Sequence, residues 1–197
     1  MKMNLPNKLT VLRALLIPVF LFFLIFPWII DEAGSNYLIS RLLAAAIFGL
    51  ASFTDMLDGK IARKYNLVTN FGKFLDPLAD KLMVFGAMIG LLVMNREDLL
   101  FSSVFGCVAF VIILRELAVT SMRMVVSSSS GVVIAANIFG KMKTVSQIIG
   151  IVIIILEPLL WDMWILSFVS MGLMVITTIF SGITYFKAYW PYLNTNQ

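Results

Sequence analysis

Six apolar stretches follow one another along the chain, and most of its polar residues fall in the gaps between them. A helix needs about 20 residues to cross the hydrocarbon core of a bilayer. Stretches of that scale lie at Leu9–Ile30, Tyr37–Ala62, Pro77–Met94, Leu99–Val126, Ile134–Leu156 and Trp161–Tyr189. The pattern predicts an all-α polytopic membrane protein: six transmembrane helices in one bundle, one domain over residues 1–197. The first stretch has no small-residue cleavage site, so it reads as a retained helix and not as a signal peptide. Glu157-Pro158 reads as a short turn between the last two spans, Asn4–Lys8 as an interfacial lead-in, and Ser127–Gly131 as a polar linker.

Composition strengthens this picture. The chain is 60% hydrophobic, more than a soluble domain of 197 residues can hide from water. Charge then orients it. Six spans put both termini on one side, and thirteen of the fifteen Lys and Arg residues fall there, leaving only Arg41 and Arg96 opposite. The opposite loops carry Asp31, Glu32, Glu97, Asp98, Glu157 and Asp162. The positive-inside rule makes the terminal side cytoplasmic. A net charge of +4 raises the question of nucleic acid, but basic residues spread between apolar spans are explained by topology, and no nucleic-acid partner is expected.

Two absences narrow the chemistry. The sequence contains no histidine and a single cysteine, Cys107, within an apolar run. Imidazole catalysis, an internal disulfide and a cysteine-built metal site are therefore excluded. A metal here must rest on oxygen, which points to magnesium, manganese or calcium.

The densest group of charges lies between the second and third spans. Asp55, Asp58, Gly59, Ala62 and Arg63 follow helical spacing and share one face; Gly72, Asp76 and Asp80 step by four and share another. Asp76-Pro77 suits a helix start, with Asp as cap and Pro at the first position, and Lys64–Phe71 reads as the turn before it. Four converging carboxylates repel one another unless a cation neutralises them, and aspartate oxygen is what hard divalent ions prefer. One or two such ions can share the four groups. Gly59 and Ala62 leave room for a bulky ligand against the helix, and Arg63 can pair with a phosphate. The chemistry implied is metal-assisted transfer of a phosphoryl-type group. Ordinary caps and headgroup ion pairs would explain any one of these acids, but not the set. A cation path would favour sites near the bilayer midplane, whereas these acids sit at predicted helix ends beside Lys60, Arg63, Lys64 and Lys73. A non-catalytic scaffold gives no reason for four clustered acids.

The run D-x2-D-G-x2-A-R-x8-G-x3-D-x3-D, from Asp55 to Asp80, resembles at every spacing the signature of the CDP-alcohol phosphotransferase family. The resemblance implies a six-helix membrane enzyme, commonly a homodimer, dependent on one or two Mg2+ or Mn2+ ions. It implies that Asp55, Asp58, Asp76 and Asp80 ligate metal, and that Asp80 is also the general base on the acceptor hydroxyl. Gly59, Ala62, Arg63 and Gly72 would line the site for the CDP-lipid, CDP-diacylglycerol.

Shorter motifs resemble the bacterial branch of the family whose acceptor is glycerol 3-phosphate and whose product is phosphatidylglycerol phosphate. They are Leu5-Pro6-Asn7-Lys8-Leu9-Thr10 with Arg13 and Pro18, Arg115-Glu116 with Arg123, Gly140-Lys141-Met142-Lys143-Thr144, and Ser181-Gly182 with Tyr185-Phe186. The opening is shared in part with the family's cardiolipin synthases, which remain the alternative alongside other phosphatidyltransferases. A phosphorylated acceptor needs cations beyond Arg63, and Arg115, Arg123, Lys141 and Lys143 are the candidates for its phosphate, although snorkelling to headgroups would also account for such residues. The branch implies a multi-pass protein of the bacterial plasma membrane with its active site on the cytoplasmic face.

Overall fold

A computed structural model describes residues 4–31, 37–65, 69–130, 138–160 and 164–193; within its helices the side chains of 56, 58–64, 70, 73, 129 and 130 are not described. The described chain is all-helical, with no strand among these residues. Its long helices are α1 (Leu5–Ile25), α2 (Leu38–Lys64), α3 (Asn70–Met94), α4 (Leu99–Ser130), α5 (Ile138–Leu156) and α6 (Ile165–Tyr189). Short 3-10 turns follow α1, α5 and α6 at Pro27–Ile29, Glu157–Leu159 and Trp190–Tyr192. Each of the six long helices contains a window long and apolar enough to cross a membrane. Only 28% to 39% of each window is buried, so much of the apolar surface faces outward, as lipid contact requires. Leu15, Leu50, Phe110 and Phe180 are among these exposed side chains.

Three boundaries correct the sequence expectation. The lead-in Asn4–Lys8 is not a separate segment: Asn4 caps α1 by accepting from the Asn7 N–H at 3.1 Å, and Pro6 stands in the first turn, where its missing N–H costs nothing. Asp76-Pro77 does not start the third helix. Thr69 caps it by accepting from the Gly72 N–H at 3.0 Å, so α3 begins well before Pro77 and carries that proline inside it. The Asp76 side chain is thereby released from capping. Ser127–Ser130 form no linker but continue α4. Gly131 lies outside the described residues, as do the expected starts of the fifth and sixth spans at Ile134 and Trp161.

The chain divides into two compact units. The first comprises residues 1–98 and 151–164, the second residues 99–150 and 165–197, so α5 contributes to both. In the first unit α1 packs against α2 and α3. Ile17, Phe20 and Leu24 of α1 are buried, as are Ala44, Phe48 and Ala51 of α2 and Ala79, Met83, Ala87 and Leu91 of α3. The Phe20 and Phe48 rings meet at 5.4 Å between centroids. Gly90 admits α1 closely, since a Cβ there would stand 2.7 Å from the Leu24 Cδ2 atom. Small residues do the same work throughout membrane helix packing.

The far end of this unit is tied down by polar caps. Asp31 accepts from the backbone N–H groups of Ile39 (3.1 Å) and Ser40 (2.8 Å), closing the first turn of α2. Burial pushes the Asp31 carboxyl up, but its hydrogen bonds from Ser40 and Ile39 outweigh this and hold it below its ordinary value. Arg41, buried, donates to the Ile155 carbonyl in the last turn of α5 at 3.1 Å. A guanidinium at a helix C-terminus satisfies an orphan carbonyl and complements the helix dipole.

In the second unit α4 packs against α6. Phe101, Phe105, Ile112, Glu116, Val119 and Val126 mark the buried stripe of α4. Its counterpart on α6 is small and polar: Ser167, Ser170, Thr178 and Ser181 are buried beside Met171 and Met174. Polar bonds also join α5 to α6, from Ser146 to Thr177 at 2.7 Å and from Gln147 to Thr178 at 3.3 Å.

Candidate active site

The carboxylates of the first unit are held by a polar face of α1. Asn7, Thr10 and Arg13 recur every third position at the start of α1, and all three are buried in an otherwise apolar helix. A buried arginine in such a helix needs a partner, and Arg13 has one: its guanidinium donates to the carboxylate of Asp55, near the end of α2. One turn earlier Thr10 Oγ1 donates to Asp76 Oδ1 of α3 at 2.7 Å. One turn earlier again Asn7 Nδ2 donates to Thr69 Oγ1, the cap of α3, at 3.0 Å. Helices α2 and α3 thus each present an aspartate to the same end of α1.

The α2 backbone runs unbroken through residue 64, which places positions 55, 58, 59, 62 and 63 on one face as the spacing predicts. The side chains of Asp58, Ala62 and Arg63, and the surroundings of Gly59, lie outside the described residues. On α3, Gly72, Asp76 and Asp80 share a face. Gly72 is buried, and a Cβ there would stand 2.9 Å from Asn7 Oδ1 and 3.8 Å from Asp76 Oδ2. The glycine lets α1 close over the start of α3. Asp80 is exposed at 40% of its side chain and stands 3.8 Å from the Lys81 ammonium, a spacing at which a solvated pair contributes little.

Among the described residues no three acidic side chains form a ready-made metal cluster, and the fourth aspartate of the set, Asp58, is outside that description. The donor chemistry nevertheless fits a hard divalent ion. Asp55, Asp76 and Asp80 supply carboxylate oxygen, and each is at least partly open to solvent, with Asp55 at 39% of its side chain.

The cations proposed for the acceptor lie in the second unit. Arg115 of α4 is drawn in three directions: to Ser181 Oγ of α6 at 2.5 Å, to Glu116 Oε1 at 3.2 Å, and over the Tyr185 ring at 5.4 Å. Its stem crosses Gly182, where a Cβ would stand 3.3 Å away. Lys143 of α5 is buried, and its ammonium donates to the same Glu116 carboxylate. Arg123 is exposed and lies 5.9 Å over the other end of the arrangement, the Tyr185 ring. Lys141 is exposed. Of these side chains, Arg115 and Lys143 set two positive charges against the one carboxylate of Glu116.

The sequence singled out Arg115, Lys143, Asp55 and Asp76, but not the partners that hold them. Thr10 and Arg13 entered it only as parts of a motif and a charge count. Their every-third spacing with Asn7 in an apolar span was the available signal.

Known proteins resolve what this arrangement belongs to. The model of the CDP-alcohol phosphatidyltransferase family matches residues 3–182. The chain belongs to the CDP-alcohol phosphatidyltransferase family. It is similar to the CDP-diacylglycerol–glycerol-3-phosphate 3-phosphatidyltransferase of Bacillus subtilis (strain 168), at 43% identity covering 98% of this chain and 99% of that one. It is also similar to the enzyme of the same name from Pseudomonas fluorescens, at 36% identity over 98% and 94% of the two chains. A probable phosphatidylglycerophosphate synthase of Mycobacterium tuberculosis (strain ATCC 25618 / H37Rv) is 37% identical over 92% of this chain and 79% of its own. Membership in the phosphatidyltransferase family agrees with the six membrane-length helices, and it places the two-helix aspartate face within the matched region.

Proposed function

We propose that the chain transfers the phosphatidyl group of CDP-diacylglycerol to glycerol 3-phosphate, giving phosphatidylglycerol phosphate and CMP. Near full-length identity to relatives named for this activity supports the substrates. The observation that carries the chemistry is the presentation of Asp55 and Asp76, from two helices, at one end of α1.

Asp55, Asp58, Asp76 and Asp80 would hold one or two Mg2+ or Mn2+ ions, which supply charge neutralisation at the diphosphate and polarise the phosphorus under attack. Arg63 pairs with a phosphate oxygen, and Gly59, Ala62 and Gly72 give the CDP-lipid room against the helices. Asp80 takes the proton from the glycerol 3-phosphate hydroxyl. The hydroxyl oxygen then bonds to the phosphatidyl phosphorus, the bond from that phosphorus to CMP breaks, and CMP leaves. Arg115, Arg123, Lys141 and Lys143 form the cationic set for the acceptor phosphate. The contacts of Arg115 with Ser181 and Glu116 support a held position for its guanidinium, while Lys143 adds a second positive charge beside Glu116.

The whole chain acts as one transferase domain, a reading supported by the reach of the family match. The thirteen-to-two division of basic residues supports cytoplasmic termini and a cytoplasmic active site. A homodimer rests on resemblance to the family. The test is release of CMP by purified protein offered glycerol 3-phosphate, serine, inositol phosphate or phosphatidylglycerol in turn. Release with glycerol 3-phosphate alone is expected. Release that depends on phosphatidylglycerol would make the chain a cardiolipin synthase.

A further inference from the structure

The hydroxyl of Thr10 has a position that a purely structural residue does not need. It is 1% exposed, lies in the second turn of α1, and stands within hydrogen-bond reach of both the Pro6 carbonyl (3.1 Å) and the Asp76 carboxylate (2.7 Å). A threonine in a membrane helix commonly satisfies itself on a carbonyl one turn back. Here that carbonyl is available, yet the shorter contact goes to a carboxylate on another helix. Oxygen-to-carboxylate bonds of this length are charge-assisted and directional.

The neighbouring contacts explain what this bond does. Asn7 grips Thr69, the cap of α3, and Gly72 allows the close approach that the grip needs. The first turn of α3 is therefore fixed in rotation about its own axis against α1. Asp76 then projects toward Thr10, which takes the Oδ1 atom; the Oδ2 atom lies on the Gly72 side, 3.8 Å from where a Cβ would sit. Pro77 follows Asp76 inside the helix and has no backbone N–H to donate to the preceding turn.

We propose that Thr10 is a positioning residue of the phosphatidyl transfer: by binding one carboxylate oxygen of Asp76 it sets the rotamer in which the carboxylate meets a divalent cation. The inference rests on the metal-holding role given to Asp76 above. Partners that orient a metal ligand typically contribute ten-fold to a hundred-fold in metal affinity.

The test is Mn2+ binding to the purified full chain without substrates, read as free Mn2+ by electron paramagnetic resonance. Thr10→Val keeps the shape and removes the donor; it should weaken Mn2+ binding by about ten-fold or more. Thr10→Ser, which restores a hydroxyl, should bind within about three-fold of the parent. In an Asp76→Asn background Thr10→Val should change nothing further, because the carboxylate it orients is gone. A role in packing alone would cost the same in both backgrounds and would not be rescued by serine. Should Thr10→Val fail to give folded protein, the comparison of Thr10→Ala with Thr10→Ser carries the same decision. Equal Mn2+ binding by the parent and Thr10→Val overturns the positioning role and leaves the metal site standing. A parent chain that binds no Mn2+ overturns both together.

Discussion

Thr10 and Asp76 are separated by 66 positions in the chain and joined by a 2.7 Å hydrogen bond in the fold. The bond connects the opening of α1 to the third aspartate of the Asp55–Asp80 run, two segments that look independent in sequence. It also explains why a polar triplet stands in a helix otherwise built for lipid: Asn7, Thr10 and Arg13 are the face that meets α2 and α3 at Asp55, Asp76 and Thr69.

The first prediction concerns the carboxylates. Asp76→Asn keeps the shape and most hydrogen bonding but removes the charge that a divalent cation needs. It should raise the barrier to turnover by about 3 kcal/mol or more, lowering kcat at least roughly a hundred-fold, with normal insertion. Chelator should abolish parental activity and added Mg2+ should restore it. Full turnover by Asp76→Asn in excess chelator would end the metal account.

Arg115 provides the second. It bonds Ser181 and Glu116 while lying over Tyr185. Arg115→Ala should raise the KM for glycerol 3-phosphate by roughly ten-fold to a hundred-fold, the loss of one charged hydrogen bond of about 1.5–3 kcal/mol, and should spare CDP-diacylglycerol. Ser181→Ala should act in the same direction and less, by about 0.5–1.5 kcal/mol. Steady-state kinetics with each substrate varied in turn separate this from a general loss of fold, which would weaken both.

Much of the fold was legible because lipid imposes a simple rule: apolar runs of membrane length become helices, and all six did. The aspartate faces were legible because helical spacing alone defines them. What escaped were choices between competing local solutions. Asp76-Pro77 carries the residues of a helix start, yet Thr69 captures the Gly72 N–H earlier, and nothing local reveals that Thr10 waits for the aspartate. The serine run looks like a linker, yet α4 has no reason to stop before Ser130 when its hydroxyls can return to the backbone, as Ser128 does to the Val125 carbonyl. Arg41 counted only toward topology, as a basic residue opposite the termini, and proves to be a buried cap on α5. At Asp76 and Arg41 a long-range partner overrides a short-range propensity; at Thr69 and the serine run one local solution prevails over another.

Asp31 gives a pH-dependent prediction. Its carboxyl is held below the ordinary value, so the stability it contributes is fully present above about pH 3.8, its ordinary value, and is lost as pH falls through the lower folded value. Asp31→Ala should lower the thermal midpoint in detergent at neutral pH, and the gap to the parent should close as pH drops below about 3.8. A gap that stays constant down to pH 2 would show that the carboxylate charge plays no part in closing α2.

Topology is tested by a cysteine at Asn194 in a Cys107→Ser background. An impermeant maleimide should label it only after the membrane is opened. Labelling in intact cells would reverse the orientation inferred from the basic residues and move the aspartates away from the cytoplasmic face.

The most direct measurement of the central claim is the fate of isotopically labelled glycerol 3-phosphate. Purified chain, CDP-diacylglycerol, Mg2+ and glycerol 3-phosphate carrying 13C in its glycerol and 18O in its phosphate are combined, and the lipid is read by mass spectrometry beside released CMP. The account predicts a lipid containing both labels, with the acceptor phosphate intact and one CMP released per lipid formed, and no such lipid from Asp80→Asn. A lipid carrying the 13C without the 18O-phosphate, or CMP released without labelled lipid, would contradict it.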